Sequence, residues 1–250
     1  YQETVQQVAE KFGKGYVHLT SRQGIEIPYI KVQDIDAVKK ALADGGVQVG
    51  VCGPRVRTIT ACQGNATCPS GLIDTVKLAN EFDKRYGGKE LPHKFKFGFT
   101  GCHNNCLKAE ENDMGVKGGV EPKWKADNCI FCGVCEAVCP EKAIKVDKAN
   151  NKVILDEEKC VYCGKCIKSC PTDAWDGDHG FVISFGGLYG NRINVGHQFL
   201  PIVFDESKLY AIVDVALGFF EKYAKPSERF ANCLDRVGWE KFEKEVEAVL

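Results

Sequence analysis

The sequence has very little methionine and no long apolar run. Met114 is the only methionine among 250 residues and the chain starts at Tyr1, so we expect either a processed or an incompletely ordered chain. No apolar stretch approaches the roughly eighteen residues that a membrane-spanning helix needs, and no secretory signal is visible. A net charge of −1 gives no global basis for binding nucleic acid or a membrane surface. These absences predict a cytoplasmic protein with neither partner.

Nucleotide-binding signatures are also missing. No G-x-G-x-x-G opens a helix after a strand, and there is no G-x-x-x-x-G-K-[ST] phosphate loop. The glycines at 186–190 have the wrong spacing for either signature and predict a loop. Flavin or nicotinamide chemistry would therefore have to be supplied by another protein.

Cysteine, in contrast, is abundant, with 14 residues. A disulfide framework is typical of small secreted domains and fits a large chain without an export signal badly. Structural zinc would suit paired C-x-x-C motifs, so the detailed spacing has to decide between zinc and iron–sulfur clusters.

Residues 129–140 and 160–171 each form a C-x2-C-x2-C-x3-C-P run. This is the pattern of bacterial two-cluster ferredoxins, in which the fourth cysteine of each run ligates the other run's cluster. Two zinc sites would also use eight cysteines, but would not need the trailing C-P in both runs. The pattern predicts two [4Fe–4S] clusters, with the ligand sets Cys129, Cys132, Cys135 and Cys170, and Cys160, Cys163, Cys166 and Cys139.

A third set of four cysteines lies earlier in the chain. Cys62 and Cys68 bound a C-x5-C loop, and Cys102 and Cys106 bound a C-x3-C loop. The apolar spacing between the loops predicts an amphipathic helix over 71–86. We expect its N-terminus to follow Cys68 directly and to aim free amides at an anionic cluster.

Basic residues precede both loops at strand spacing. Lys94 and Lys96 alternate with phenylalanines, and Arg55 and Arg57 flank Val56, so each pair should share one face of a strand. The lysine strand runs toward Cys102, which predicts two cations beside the metal centre. The alternative is that all four are solvated surface charges, the commoner fate of Lys and Arg.

C-x5-C followed by C-x3-C resembles the ligand pattern of the sirohaem-dependent sulfite and nitrite reductases. The segments 18–23, 53–57 and 91–96 are similar to motifs of that family, as are 228–230 and 236–238 near the C-terminus. The resemblance covers nearly the whole chain. It is strongest to anaerobic and dissimilatory-type sulfite reductase subunits, some of which carry a ferredoxin insert.

The resemblance implies a sirohaem whose iron shares a cysteine thiolate with the third [4Fe–4S] cluster, and Cys106 matches that bridging position. It implies that Lys94, Lys96, Arg55 and Arg57 hold the substrate oxyanion and are the catalytic residues. Arg22 and Asn104, together with Arg55 and Cys106, would contact the sirohaem. His103 departs from the family pattern, which commonly has proline there.

The implied function is six-electron reduction of sulfite to sulfide, with electrons entering through the ferredoxin insert. Nitrite reduction to ammonia is the runner-up, and an electron-transfer protein within a larger reductase complex is the alternative from another class. The expected partners are a small oxyanion, a ferredoxin or partner reductase subunit as donor, and further subunits in a homo-oligomer or heteromer.

The predicted fold class is α+β, a sirohaem reductase-like module with an inserted bacterial ferredoxin-like domain. Its parts are a ferredoxin-like half-domain at 1–46, the reductase domain at 47–120 and 176–250, and the insert at 121–175. The predicted elements are helices at 3–12, 35–43, 206–223 and 236–249, and strands at 16–20, 25–29, 143–146, 152–155 and 181–185. Cys52 and Cys233 complete no ligand set and are predicted to be buried thiols.

Overall fold

The structure is a computed structural model that describes all 250 residues. The chain divides into two compact units, Tyr1–Gly53 and Pro54–Leu250. The helices are α1 Gln2–Phe12, α2 Ile35–Asp44, α3 Thr75–Tyr86, α4 Val134–Val138, α5 Lys165–Lys168, α6 Glu206–Tyr223, α7 Phe230–Val237 and α8 Trp239–Glu247. The strands are β1 His18–Leu19, β2 Ile25–Glu26, β3 Thr60–Ala61, β4 Phe97–Thr100, β5 Met114–Trp124, β6 Ile144–Asp147, β7 Lys152–Leu155 and β8 Trp175–Phe185. No helix is both long enough and apolar enough to cross a membrane.

The first unit consists of two helices and a short hairpin. Helical spacing places Val5 and Val8 of α1 against Val38 and Leu42 of α2, and these four form its small core. Strands β1 and β2 pair antiparallel but are only two residues long, shorter than predicted. The second strand cannot continue to Tyr29, because that residue has a φ of +67°.

The second unit is built on a four-stranded sheet in the order β3-β4-β5-β8. Strands β3, β4 and β5 run parallel, and β8 pairs antiparallel with β5. The buried aromatic residues of β4, Phe97 and Phe99, pack against Phe82 of α3. Helices α6, α7 and α8 complete the same core.

Strands β5 and β8 form a ribbon of eleven pairs from Met114↔Phe185 to Trp124↔Trp175. The segment 125–174, which joins the two strands at the Trp pair, contains both C-x2-C-x2-C-x3-C-P runs, helices α4 and α5 and the β6–β7 hairpin. It has a hydrophobic cluster of its own, centred on Cys135, Ile144, Val153 and Cys166. The division into a half-domain, a reductase domain and an insert stays a prediction. Strands β5 and β8 run across the two predicted insert boundaries, after residues 120 and 175.

Two helix predictions are wrong in detail. The helix expected at 236–249 is two helices, because Gly238 has a φ of +110° and interrupts the backbone between α7 and α8. The helix expected from residue 71 begins at Thr75. The Asp74 carboxylate accepts a hydrogen bond from the Lys77 amide at 2.9 Å and caps that start.

Candidate metal centres and anion site

The C-x5-C and C-x3-C loops leave the sheet at the same edge. Cys62 directly follows β3, and Cys102 follows β4 after a single residue, Gly101. Because β3 and β4 are parallel neighbours, the loops that follow them meet at the carboxyl ends of the strands. The Cys62 amide donates to the carbonyl of Phe99 at 3.0 Å, which extends the pairing into the first loop.

Three of the cysteines in these loops lie within electrostatic reach of the fourth, Cys102. Burial raises the pKa of Cys102, and the neighbouring Cys68, Cys62 and Cys106 raise it further. Cys102 is buried and Cys62 half-buried, whereas Cys68 and Cys106 are exposed. The structure therefore brings together the third ligand set predicted from the sequence, with Cys106 among its accessible thiols.

Backbone amides already point at one of these thiols. The amides of Gly101 and Gly64 donate to Cys62 Sγ at 3.0 and 3.4 Å. A Cβ atom on Gly101 would lie 2.9 Å from the Cα of Gly64, and one on Gly71 would lie 2.4 Å from the amide nitrogen of Asn65. Only glycine allows the loops to pack this closely, and this close packing gives a thiolate its amide donors.

The predicted position of the helix N-terminus is wrong. Helix α3 does not follow Cys68 directly but begins at Thr75, and the Asp74 carboxylate caps its first turn by accepting the Lys77 amide. Residues 71–74 instead continue the cysteine loop, because the Leu72 amide donates to the Gly101 carbonyl at 2.7 Å. Amides of the loops, not of helix α3, contact Cys62.

The eight cysteines of the 125–174 segment surround two separate small cavities. One is lined by Cys129, Cys132, Cys135 and Cys170, and the other by Cys139, Cys160, Cys163 and Cys166. In each cavity three cysteines come from one run and the fourth from the other. No three His, Cys, Asp or Glu side chains converge closely enough to hold a single metal ion. The lining residues coincide with the crossed ligand sets expected of a two-cluster ferredoxin.

Burial makes several of these thiols poor acids. It raises the pKa of Cys166 to about 12 and also raises the pKa values of Cys135 and Cys160. Burial opposes ionisation of Cys170 too, but backbone amides of Thr172 and Ala174 lower its pKa. Buried thiols of this kind become thiolates when a bound cation compensates their charge. The donor sets therefore fit cationic iron–sulfur cores.

The four basic residues lie on two adjacent strand segments in register. Val56 pairs with Phe95 in a parallel bridge, so Arg55 and Arg57 lie beside Lys94 and Lys96. The Arg57 amide donates to the Phe95 carbonyl at 2.9 Å. Val56 and Phe95 are fully buried, and the four basic residues are half-buried, which matches the predicted alternation.

The expectation that these cations lie beside the chain's own metal centre is wrong. They precede β3 and β4, whereas the cysteines follow those strands. From Lys96 to Thr100 the strand alone spans about 13 Å at about 3.3 Å per residue. The basic residues therefore lie at the opposite edge of the sheet from Cys62 and Cys102.

A buried ion pair fixes the lysine segment. Both carboxylate oxygens of Asp113 accept hydrogen bonds from Arg229 Nη2 at 3.0 Å, and Oδ2 also accepts the Lys96 amide at 2.9 Å. Burial raises the pKa of Asp113, and the Arg229 guanidinium opposes that rise. Arg229 is thus neutralised by Asp113 next to the lysine segment, and the sequence motif near residue 228 did not reveal this partner.

Two hydrogen-bond donors without a partner lie in this basic group. Arg55 Nε and Arg229 Nε are buried without a hydrogen-bond partner, although the Arg55 guanidinium also reaches Glu90 at 3.3 Å. Burial lowers the pKa of His93, and the neighbouring charges of Lys94, Arg229 and Arg57 lower it further. This concentration of positive charge and open donors is suited to an oxyanion.

A second buried charge supports the C-x3-C loop. Glu110 accepts hydrogen bonds from Lys117 on β5 and from Asn105, while Asn105 Oδ1 accepts the Ala109 amide at 2.8 Å. Burial lowers the pKa of His103, and Lys117 contributes to the shift. These hydrogen bonds connect the C-x3-C loop to strand β5, and the cysteine spacing did not predict this network.

The sequence also matches a known protein family. Residues 52–250 match the nitrite and sulphite reductase 4Fe-4S domain. The chain belongs to this family. Residues 2–45 of this reductase-family chain match the nitrite/sulfite reductase ferredoxin-like half domain.

Two curated relatives are similar to this chain over almost its whole length. The coenzyme F420-dependent sulfite reductase of Methanocaldococcus jannaschii is 34% identical over 245 residues, which cover 97% of this chain and 39% of that protein. One component of the anaerobic sulfite reductase of Salmonella typhimurium is 34% identical over 261 residues, covering 96% of this chain and 76% of that component. The chain thus spans about two fifths of the first relative and three quarters of the second.

The reductase fold is also seen in solved structures. Dissimilatory sulfite reductase I superposes with a TM-score of 0.80 at 19% sequence identity, covering 99% of this chain and 65% of that one. This agreement establishes the α+β reductase fold.

The remaining predicted residues of this reductase module are placed as follows. Arg22 is half-buried in the 20–24 turn of the first unit, and Asn104 is exposed in the C-x3-C loop. Cys233 is fully buried, and burial raises its pKa to about 11, as expected of a packed thiol. The prediction for Cys52 is wrong: it is exposed, because it lies on irregular chain before β3.

Proposed function

We propose that this chain is the sirohaem- and iron–sulfur-bearing part of a sulfite reductase that converts sulfite to sulfide in six electrons. The observation that carries the proposal is the grouping of Cys62, Cys68, Cys102 and Cys106 at one sheet edge. Amide donors already point at Cys62 there. The names of the two relatives support sulfite as the substrate.

The residues of the chain suit the proposed cofactors. Bound sirohaem would supply the redox-active iron at which the oxyanion is reduced. Cys106 is the thiol assigned to the sirohaem iron, because it matches the bridging position of the family pattern. Its exposure, which it shares with Cys68, is compatible with that role. Asn104, in the same loop as Cys106, is assigned to the carboxylates of this sirohaem, whereas Arg55, at the opposite edge of the sheet, is assigned to a sirohaem held by another subunit. Arg22 is also assigned to a sirohaem carboxylate.

The anion contacts are assigned to Lys94, Lys96, Arg55 and Arg57. Their place at the far edge of the sheet favours a shared site, in which they serve a cofactor held by the cysteines of another subunit. That subunit is a second copy of this chain or a related one, and a two-fold axis would make the exchange reciprocal. The buried Nε atoms of Arg55 and Arg229 would gain partners there.

Proton supply follows from the same residues. Conversion of sulfite to hydrosulfide and three waters consumes six electrons and seven protons. The lysine ammonium groups of Lys94 and Lys96 would bind the oxyanion and donate protons to the departing oxygens. Their charge would also stabilise negative charge that builds on those oxygens.

Electrons are proposed to enter through the 125–174 segment, whose two cysteine-lined cavities would hold the input clusters. The donor would be a soluble ferredoxin or a partner reductase subunit. Replacing Cys132 or Cys163 with serine should then lower ferredoxin-driven turnover much more than turnover driven by methyl viologen, a small reductant.

Nitrite reduction is a second candidate, because the matching family description includes both nitrite and sulphite reductases. An electron-transfer protein without its own reaction is the alternative from another class. Such a protein would lack the Soret and red absorption bands that sirohaem adds to those of iron–sulfur clusters.

The deciding experiment is a steady-state assay of anaerobically purified protein with reduced methyl viologen and either sulfite or nitrite. We expect sulfide formation with a higher kcat/KM for sulfite, together with both sirohaem bands. Ammonia formation at higher kcat/KM would favour the nitrite assignment. Cluster absorption without sirohaem bands, and without turnover of either anion, would leave the electron-transfer role.

A further inference from the structure

Two side chains, one from helix α5 of the 125–174 segment and one from strand β8, contact the loop that follows Cys68. Lys168 Nζ, in α5, donates to the Pro69 carbonyl at 3.3 Å. His179 Nδ1, in β8, lies 2.9 Å from the Leu72 carbonyl and must donate to it, because a carbonyl oxygen only accepts. Both contacts therefore end on the 69–72 loop.

That loop is connected to both halves of the third ligand set. The Gly71 amide donates to the Cys68 carbonyl at 2.9 Å, and the Leu72 amide donates to the Gly101 carbonyl at 2.7 Å. Gly101 directly precedes Cys102. A displacement of the 69–72 loop would consequently move both cysteine loops.

A cavity of about 400 Å³ separates this ligand set from one of the two sets in the 125–174 segment. Cys102 lines one side and Cys163 lines the other, while Lys168 and His179 also contribute to the wall. Cys129, Cys132, Cys135 and Cys170 do not line it. The near set is therefore the one formed by Cys139, Cys160, Cys163 and Cys166.

The near set is also packed onto the ribbon. The Val120 amide donates to the Tyr162 carbonyl at 2.9 Å. A Cβ atom on Gly164 would lie 2.5 Å from Val120 Cγ1, so the loop approaches the strand as closely as glycine permits. Lys168 thus joins the segment of the near set to the 69–72 loop, and His179 joins the ribbon to the same loop.

We propose that Lys168 and His179 are positioning residues that set the separation between the near cluster and the cluster at Cys62, Cys68, Cys102 and Cys106. This inference rests on the proposed function. Electrons would pass from the far cluster to the near cluster and then across the cavity. In the last step one electron leaves the near cluster and reduces the accepting centre, without proton transfer. Because electron transfer slows exponentially with distance, a looser contact slows this step.

The test compares four variants of the holoprotein. Lys168→Met and His179→Phe remove the two donors, Lys168→Arg keeps a donor, and Lys152→Met removes an exposed lysine from β7 as the matched control. Sulfite reduction is driven either by a reduced two-cluster ferredoxin or by reduced methyl viologen. We expect ferredoxin-driven turnover to fall about 3- to 10-fold in the first two variants and to be retained in Lys168→Arg. Methyl viologen-driven turnover and the control should be unchanged.

Two measurements do not depend on turnover. Hydrogen exchange at the amides of residues 71 and 72 should accelerate on the order of fivefold when either donor is removed. In the fully reduced protein, the spin–spin broadening between neighbouring clusters should weaken in paramagnetic resonance spectra. Both remain measurable if the protein does not reduce sulfite, so a failure of the proposed function is distinguishable from a failure of this proposal.

Exchange and spectra identical to those of Lys152→Met would overturn the positioning role. An equal loss of turnover with both reductants would overturn it as well, because it would indicate damage to the reaction centre itself. If His179→Phe does not retain its clusters, the exposed Lys168→Met variant carries the same test alone.

Discussion

Replacing Asp113 by asparagine should strongly destabilise the second unit. Asp113 is fully buried, the side chain of Arg229 is 13% exposed, and the two groups are 3.0 Å apart. Asparagine keeps an oxygen that can accept the Lys96 amide, so the substitution removes mainly the negative charge. Arg229 cannot lose its proton and would remain as a buried, uncompensated cation.

The expected cost is about 3–5 kcal/mol, the usual result of removing one partner from a buried ion pair. For a domain of this size each kcal/mol lowers Tm by about 2–4 °C, so Tm should fall by about 6–20 °C. The measurement is anaerobic calorimetry of the holoprotein at one scan rate. The control is Glu221→Gln, whose partner Lys89 lies 3.1 Å away with both side chains about 40% exposed. It should lose less than about 1 kcal/mol.

The opposite deletion, Arg229→Met, should have a different pH dependence. Without Arg229, burial raises the pKa of Asp113 against only the weaker opposition of the Lys96 amide and charge, so its folded value lies above the unfolded value of about 3.9. Asp113 then contributes stability that is fully present below about pH 3.9 and is lost as pH rises through the folded pKa. The variant should therefore recover stability on mild acidification, whereas Asp113→Asn should not. Equal Tm values for Asp113→Asn and Glu221→Gln would refute the reasoning about this ion pair.

Four further outcomes are expected. Anaerobic analysis should find about twelve cluster irons and one sirohaem iron per chain, since each [4Fe–4S] cluster uses four cysteines; about eight irons without sirohaem bands would leave only the 125–174 clusters. Cys106→Ser should lose the sirohaem coupling and activity while the other two clusters survive, and full activity would remove Cys106 from the bridge. Lys94→Ala and Lys96→Ala should each lower kcat/KM for sulfite by roughly 10- to 1,000-fold, with cofactor content unchanged. Wild-type kinetics would show that these lysines are solvated surface charges without a role in anion binding. Arg236 lowers the pKa of Glu228 to about 2, so Glu228→Gln should cost about 1–2 kcal/mol at pH 7, after allowance for the 36% exposed Arg236 side chain. In the parent protein this stabilisation should disappear as pH falls from about 4.3 to about 2, and a variant with the same acid-unfolding profile as the parent would contradict the assignment.

Local patterns predicted some elements to the residue. Helix α6 has the predicted bounds because its apolar period is regular and Asp205 caps its start, accepting the Ser207 amide at 2.7 Å. Strand β7 also has its predicted bounds. In both cases the information that ends the element lies within a few residues of it.

Elements shaped by distant residues were predicted less well. Helix α3 starts four residues late, because the hydrogen bond from Leu72 to Gly101 holds the preceding residues in the cysteine loop. Strand β8 begins at Trp175 rather than Phe181, since its first half is defined only by pairing with β5. Nothing in the local sequence of 175–180 records that partner.

The candidate site shows the same division. Cysteine spacing predicted which thiols would be neighbours, because cluster chemistry constrains the spacing directly. Alternation predicted the shared face of Lys94 and Lys96, and the strand runs toward Cys102 as expected. The prediction did not allow for the length of strand β4, which separates the lysines from the cysteine loop. Asp113 was not predicted as a partner of Arg229, because 116 residues separate them in the chain.

The Trp124↔Trp175 pair has an evolutionary consequence. Fifty residues depart from and return to two positions that are already adjacent across an antiparallel ladder. Bringing the ends of a folded insertion together at such a point adds little closure entropy, because the ribbon fixes their separation whatever lies beyond. The ribbon can therefore accept or lose a folded cassette without altering the sheet register at Met114 and Phe185. Insertion or loss of a folded segment at this hairpin tip therefore leaves the reductase sheet intact.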